Sequence, residues 1–407
     1  MEQVLNQLPK GWINVQVKDV TKSLSSGFAC NKSFETSDGY VHLRTHNIST
    51  RGCLNFDQII KVSHEKIDEK KSKIFKGEIL FNNTNSKELV GKTAYVDQDY
   101  DFAFSNHLTR IVPNDKVHSK FLVYWLVSLQ TSGYFNQICK KWIGQAGVNN
   151  TVLKGLSVPL PSKEEQRRIV EKLDALLTRI DTAIEHLQES VTLADALYAS
   201  TINQQMMQAI ELAGLSTVEK HIEQIQTGTT PPTKQPEFYE NGDINWFAPS
   251  DFGDHDILSD SNKKLSQKAF DAGKARKFDA GTIMLVAIGA TIGKIGYLEQ
   301  DASSNQQITG MKFNSAIIPR YAYYWFRFIK PEILTNASTA TLPIINQKGI
   351  KALSFCAPNK QLQETICRKI DEVSNFRNKV KAELNEKVEL MRSLKASILD
   401  SAFKGEL

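Results

Sequence analysis

Side chains able to read or grip a nucleic acid occur in clusters along this chain. Arg44, His46, Asn47 and Arg51 lie along and just after the alternating run YVHLRTHNIS, and Asn82, Asn83, Asn85, Ser86 and Lys87 crowd the next turn. Asn106 and His107 come next, then the basic, amide-rich group Lys140, Lys141, Gln145, Asn149 and Asn150. A second series holds Thr227, Thr229, Thr230, Lys234, Lys263, Lys264, Lys274, Arg276 and Lys277, then Gln306 and Gln307, then Asn346, Gln347 and Lys348. Lysine and arginine neutralise phosphates, while amides and arginine pair with base edges, so these types together suit DNA readout. A solvated polar turn or a strand cap would use the same residues, so the clusters carry the suggestion and single residues do not. Asn149 and Asn346 recur in both series, which points to a shared structural or phosphate role and away from base choice.

Chemistry that would act on DNA is missing. An amino-methyltransferase needs an Asn/Asp-Pro-Pro-aromatic motif, but the only Pro-Pro, Pro231-Pro232, is flanked by Thr230 and Thr233. GATIGKI, from Gly289 to Ile295, has one residue too few between its glycines for a phosphate-binding loop and Ile after Lys294; it reads as a tight turn, which Gly91-Lys92 repeats. His42 and His46 are four apart on an expected strand, which does not give the one-face geometry of a helical metal site. The eight histidines and five cysteines form no ligand set. No catalytic residue and no metal site are expected, so catalysis must come from partner chains. Trp246, Phe247 and the pairs Tyr124-Trp125 and Tyr324-Trp325 read as core.

These groups need rigid elements to hold them. SKEEQRRIVEKLDALL, starting at Ser162, opens with an N-cap and Glu165 three residues on, predicting a capping box. Apolar residues then recur at alternating steps of four and three: Ile169, Leu173, Leu176, Ile180, Ala183, Leu187, Val191, Ala194 and Tyr198. No proline or glycine interrupts this stretch to Gln208, so it predicts a coiled-coil-like helix about 60 Å long that needs a partner.

A shift of 197 residues supplies one. Pro161 falls on Pro358, Gln166 on Gln363, Ile169 on Ile366, Asp174 on Asp371, Leu193 on Leu390 and Leu197 on Leu394. Shared polar identities in one frame mark an internal duplication. The preceding blocks repeat too: GEILFNNTNSKELVGKTAYV is mirrored by GTIMLVAIGATIGKIGYL, and FLVYWLVSL by YAYYWFRFI.

A chain of 407 residues exceeds one ordinary core. The expected segments are a first globular block over 1–160, a first spacer helix over 161–212, a second block over 213–357, and a second helix with its tail over 358–407. The expected class is α+β, with two mixed α/β domains in pseudo-two-fold repeat joined by two long antiparallel helices. The formal charge is +5. The helices are near neutral and oppositely biased: five basic and eight acidic residues over Lys163–Asp195, against nine and seven over Lys360–Asp400. The positive excess sits in the blocks, which favours a polyanion partner. No run of eighteen apolar residues exists, MEQVLNQLPKGW lacks a secretory pattern, and the five scattered cysteines read as reduced thiols, so a cytoplasmic protein is expected.

In this order of parts the chain resembles the specificity subunit of type I restriction–modification systems. LPKGW, LRTHNI, the Pro-x-x-x-x-Gln lead-in to each helix and the closing AFKGEL carry the resemblance, which covers essentially the whole chain. It implies that each block is a target-recognition domain for one half of a split, asymmetric DNA sequence, and that the helices set the gap. It also implies docking of two modification (methyltransferase) subunits bearing AdoMet and of restriction/motor subunits using ATP and Mg2+, with no cofactor in this chain. The first helix departs from the pattern: LYASTINQQMMQAIELAG lacks an AFKGEL-type ending. An orphan DNA-binding regulator on the same modules, a fused enzyme and a coiled-coil scaffold are the alternatives.

Overall fold

Alternation within short apolar strands explains the architecture of both blocks. In the computed structural model, which describes residues 8–253, 257–338 and 342–407, the chain divides into two compact units. The leader expectation for MEQVLNQ lies outside the described residues. The first unit comprises 1–189 and 384–407, the second 190–383. Both long helices therefore contribute to both units, because each half-helix buries its stripe against the block beside it.

In the first unit, β1 (Ile13–Gln16) and β2 (Thr21–Ser26) are followed by β3 (Ile79–Asn82), β4 (Thr84–Asn85), β5 (Thr93–Tyr95) and β6 (Leu108–Pro113). An antiparallel sheet runs in the order β2-β6-β3-β5. Successive side chains of a strand face opposite ways. Ile79 and Phe81 accordingly join the core under α1 (Ser119–Thr131), whereas Leu80 joins a second core with Leu43, Ile48 and Phe104. Both faces are covered, so the strand reads as a continuous apolar run. The hairpin β7 (Lys140–Trp142) and β8 (Gln145–Gly147) pairs through β8 with β4; α2 (Asn150–Lys154) and β9 (Ser157–Leu160) follow, and β9 pairs with β1.

The first long helix, α3, spans Lys163–Ala213. Ser162 Oγ accepts from Glu165 N–H at 3.3 Å, but Glu165 is bound bidentately by Arg168, so only half of the expected capping box forms. In this unit its buried stripe is Ile169, Val170, Leu173, Leu177, Ile180 and Ile184; Leu176 and Ala183, expected in the seam, are half-buried neighbours of it. The stripe is displaced because it packs on the block as well as on the last helix. That helix, α6 (Lys360–Phe403), contributes Val388 beside Ile180 and Ile184, and its end, Leu399, Ala402 and Phe403, to the block core. The start of α3 thus meets the end of α6, an antiparallel pairing. Lys395 and Asp181 join them at 2.8 Å.

The second unit repeats this plan. Its sheet holds β10 (Ile222–Thr227), β11 (Ile283–Val286), β12 (Ile295–Leu298) and β13 (Ile308–Phe313) in the order β10-β13-β11-β12, with Ile257–Leu258 added in parallel at the β12 edge. Ile283 and Leu285 face α4 (Pro319–Phe328), and Met284 and Val286 face the other core. The end of α3 (Ile202, Met206, Ala209) packs with Ile366 and Ile370 of α6, again antiparallel. Here the helix pair turns polar: Lys381 lies 3.1 Å from Asp195, and Arg377 covers the Tyr198 ring at 4.2 Å.

The duplicated polar identities fasten each block to its helix. Gln166 Oε1 accepts from His118 N–H at 2.7 Å, and Gln363 Oε1 from Ile318 N–H at 2.8 Å. Their amide nitrogens donate to the carbonyls of Lys116 and Pro161, and of Ala316 and Pro358. Tyr124 hydroxyl bonds Asp174, and Tyr324 hydroxyl bonds Asp371. Trp125 and Trp325 donate to the carbonyls of Ser157 and Ser354. Gly91 and Gly293 occupy tight turns at φ +91 and +83. A Cβ at Gly91 would fall 2.2 Å from the Phe135 ring, and Lys92 and Lys294 brace the carbonyls of Thr45 and Phe252. GATIGKI is accordingly a strand-to-strand turn.

Candidate nucleic-acid interface

At the same edge of each central sheet, short hydroxyls and amides form one network. In the first unit Ser26 on β2, Thr109 on β6 and Asn150 at the start of α2 close a triangle: Ser26–Thr109 3.5 Å, Thr109–Asn150 2.9 Å, Asn150–Ser26 3.4 Å. Asn83 donates into it at 2.9 Å and holds the Asn106 carbonyl at 3.1 Å. In the second unit Thr227 and Thr309 lie 3.1 Å apart, and Gln347, at the start of α5 (Gln347–Ala352), donates to Thr227 at 3.0 Å. One framework therefore carries different side chains: Asn150 against Gln347, and Asn106-His107 against Gln306-Gln307.

In the first unit this network floors a cleft of about 430 Å³, lined by Ser26, Asn83, Asn106, Lys140, Asn149 and Asn150. Five sequence-derived candidates thus meet in one place. Of the cleft residues Asn106, Lys140 and Asn149 are exposed and Asn150 is half-buried; outside its lining Lys141, Gln145 and Lys87 are exposed, and His107, Asn85 and Ser86 are half-buried. Asn149 caps α2, its Oδ1 accepting from Val152 N–H at 2.9 Å; Asn346 caps α5 in the same way through Gly349 N–H at 2.8 Å. Their recurrence is explained by helix capping.

The cluster at 44–51 lies apart from the cleft and is largely occupied within the fold. Asn47 is buried, donating to the carbonyls of Asn55 and Gln58 and accepting from Arg44 N–H. Arg44 binds the Cys30 carbonyl and Glu35, His46 faces the Gln58 carbonyl at 3.1 Å, and Arg51 pairs with Glu185. Asn82 and Asn83 are likewise buried. These amides support loops; reaching a base would cost their internal bonds. His42, buried on the Phe28 ring and bonded to its carbonyl, is pushed down to about 4 by burial, with Arg44 adding to the effect. It stays neutral at pH 7.

In the second unit Thr229 and Arg276 are tied together, Arg276 N–H donating to Thr229 Oγ1 and its guanidinium to the Thr227 carbonyl. Thr230 bonds Gln306, and Gln307 bonds Asn305. Lys264 and Lys277 pair with Asp260 and Asp301. Lys234, Lys263, Lys274 and Lys348 are exposed. Trp246 and Phe247 are core residues, with Trp246 donating to the Thr229 carbonyl.

Two features escaped the sequence reading. Ser26, Thr109, Thr227 and Thr309 organise the networks, yet isolated Ser and Thr in strands carry no pattern that marks them. The second feature was visible as an identity: Leu193 and Leu197 match Leu390 and Leu394, and all four are exposed, at 62, 49, 60 and 47%. This repeated apolar identity stays about half or more exposed in both halves, which packing within the described chain does not explain.

Comparison with known proteins places the whole arrangement. The sequence model of the type I restriction modification DNA specificity domain matches twice, over residues 9–193 and 220–390. A Methanocaldococcus jannaschii chain named as a type I restriction enzyme MjaX specificity subunit is 23% identical, the alignment covering 94% of this chain and 92% of that one. The StySPI specificity subunit of Salmonella potsdam is 22% identical over 98% of this chain and 90% of its own. A chain from a solved structure of a type I R-M system superposes with a TM-score of 0.73 at 18% identity, covering 99% of this chain and all of that one, and so shares the fold. With two domain copies, two antiparallel half-helix pairs and no reactive motif of its own, this chain belongs to the type I restriction–modification specificity subunits.

Proposed function

We propose that each globular domain reads one half of a bipartite, asymmetric DNA target and that the long helices set the unread gap and carry two modification subunits. The observation that carries this reading is the repeated network at the sheet edge, with one framework and different amides in each domain. A shared scaffold conserves the docking of the backbone, and the changed side chains select different bases. Phosphate contacts by the exposed lysines supply affinity and its salt dependence. The exposed leucine pairs, one per repeat, fit two copies of one partner. AdoMet would be bound by those modification subunits, and ATP and Mg2+ by restriction/motor subunits; methyl transfer and cleavage are then partner chemistry.

The test is methylome sequencing of a host that expresses this chain with its modification partner. A split, asymmetric methylated motif is expected. Exchange of residues 1–150 for those of a homologue should change one half of that motif only; a change in both halves would end the modular reading.

A further inference from the structure

The hairpin β7–β8 breaks a local rule. Its strands pair Trp142 with Gln145, leaving a two-residue loop of Ile143 and Gly144, with Gly144 at φ +76. Such loops favour Asn, Asp and Gly, which suit the turn and the water around it. This one presents isoleucine, and Ile143 is 105% exposed, where the next most exposed large apolar side chain among the described residues, Leu212, reaches 66%. A residue that contradicts its local setting and contributes nothing to packing points to an external contact.

The surroundings identify the contact. The hairpin and the segment that follows it, residues 139–154, hold no Asp or Glu and carry Lys140, Lys141 and Lys154. Lys140 and Lys141 stand on the hairpin itself, and Lys140 and Gly147, which pair at its base, also line the amide cleft, so the hairpin rises from the cleft's rim. An apolar tip on a basic ribbon suits a polyanion with an apolar spot inside it. A two-stranded ribbon fits the DNA major groove, and the one apolar group that base pairs expose there is the thymine 5-methyl.

We propose that the β7–β8 hairpin enters the major groove of the half-target read by the first domain, and that Ile143 packs on a thymine methyl there. This rests on the DNA reading above and adds a specificity-determining residue to it. Removing one methyl from an apolar contact should weaken binding about fourfold.

The experiment uses the full chain with its modification partner and duplexes carrying the motif found by methylome sequencing, with each thymine of that half replaced in turn by deoxyuridine. Wild type should lose about fourfold in affinity at one position. Ile143→Ser should bind the unmodified duplex more weakly by at least that factor and no longer distinguish thymine from deoxyuridine there. Discrimination in the other half should be unchanged in both proteins. Because Ile143 is fully exposed, the substitution leaves the core intact, which circular dichroism and an unchanged other half verify. If wild type binds the motif specifically but tolerates deoxyuridine everywhere in that half, or if Ile143→Ser keeps the discrimination, the Ile143 contact is refuted while DNA reading stands. If Ile143→Ser instead releases the partner subunit in gel filtration, the tip is a protein contact and the proposal falls. Absence of any specific duplex binding by wild type would remove the DNA reading itself.

Discussion

Gln363 offers the sharpest check on how a block is fastened to its helix. Its side chain is fully buried and makes three bonds: Ile318 N–H at 2.8 Å, the Ala316 carbonyl at 3.0 Å and the Pro358 carbonyl at 2.7 Å. Gln363→Ala leaves one donor and two acceptors without these partners. At about 1–3 kcal/mol for each stranded group, offset where water enters the small cavity, the expected loss is about 3 kcal/mol. Gln166→Ala should cost a similar amount, since Gln166 is buried with the same three bonds. Urea unfolding gives the total, and amide exchange should locate the loss near Ile318 in the first case and near His118 in the second. Gln363→Glu adds a pH signature. A carboxylate facing two carbonyls is held protonated in the folded chain, raising its pKa above the unfolded value of about 4.3. Above that value the folded state binds more protons than the unfolded, so stability must fall as pH rises. A loss below about 1 kcal/mol for Gln363→Ala, or a Gln363→Glu variant that gains stability with rising pH, would refute this account of the motif.

Four further outcomes follow from the same geometry. His42, held near pKa 4 against an ordinary 6.5, leaves the unfolded chain richer in protons between those values; stability should fall by up to about 3 kcal/mol as pH drops from 6.5 to 4, and His42→Gln should flatten that fall in urea titrations. Lys140→Ala and Lys141→Ala should each weaken duplex binding across sequences and lower the salt slope by about 1, read by fluorescence anisotropy at several salt concentrations. Leu390→Asp with Leu394→Asp should reduce the modification subunits bound from two to one by mass measurement, leaving thermal unfolding of the chain unchanged, because both side chains are exposed. Inserting one matched turn into both long helices should lengthen the unread gap and preserve both half-motifs, which sequence-resolved methylation reports.

Thiol chemistry illustrates how burial separates residues that look alike in sequence. Cys53 is exposed, whereas Cys139, Cys356 and Cys367 are buried and Cys367 is pushed up to about 12 by burial. Nothing in the spacing of five scattered cysteines distinguishes them.

Much of the architecture was written locally. The step of alternately three and four residues specifies a helix wherever it occurs, and an identity such as Gln166 with Gln363 in one frame reveals duplication without coordinates. The absence of reactive motifs also needs no structure, since such chemistry depends on residue spacings that the sequence does not contain. Tertiary structure decided what proximity decides. It assigned Leu177 and Ile184 to the buried stripe in place of Leu176 and Ala183, because a helix packed on two neighbours buries a wider face than a paired seam requires. It divided the long helices between two units, since burial follows neighbours in space. It turned Asn149 and Asn346 into helix caps and occupied Asn47 with backbone carbonyls, whereas Asn106, Lys140 and Asn150, distant in sequence, line one cleft. A polar residue's role depends on whether the folded chain has already used its hydrogen bonds, and that is settled only when the partners have been brought together.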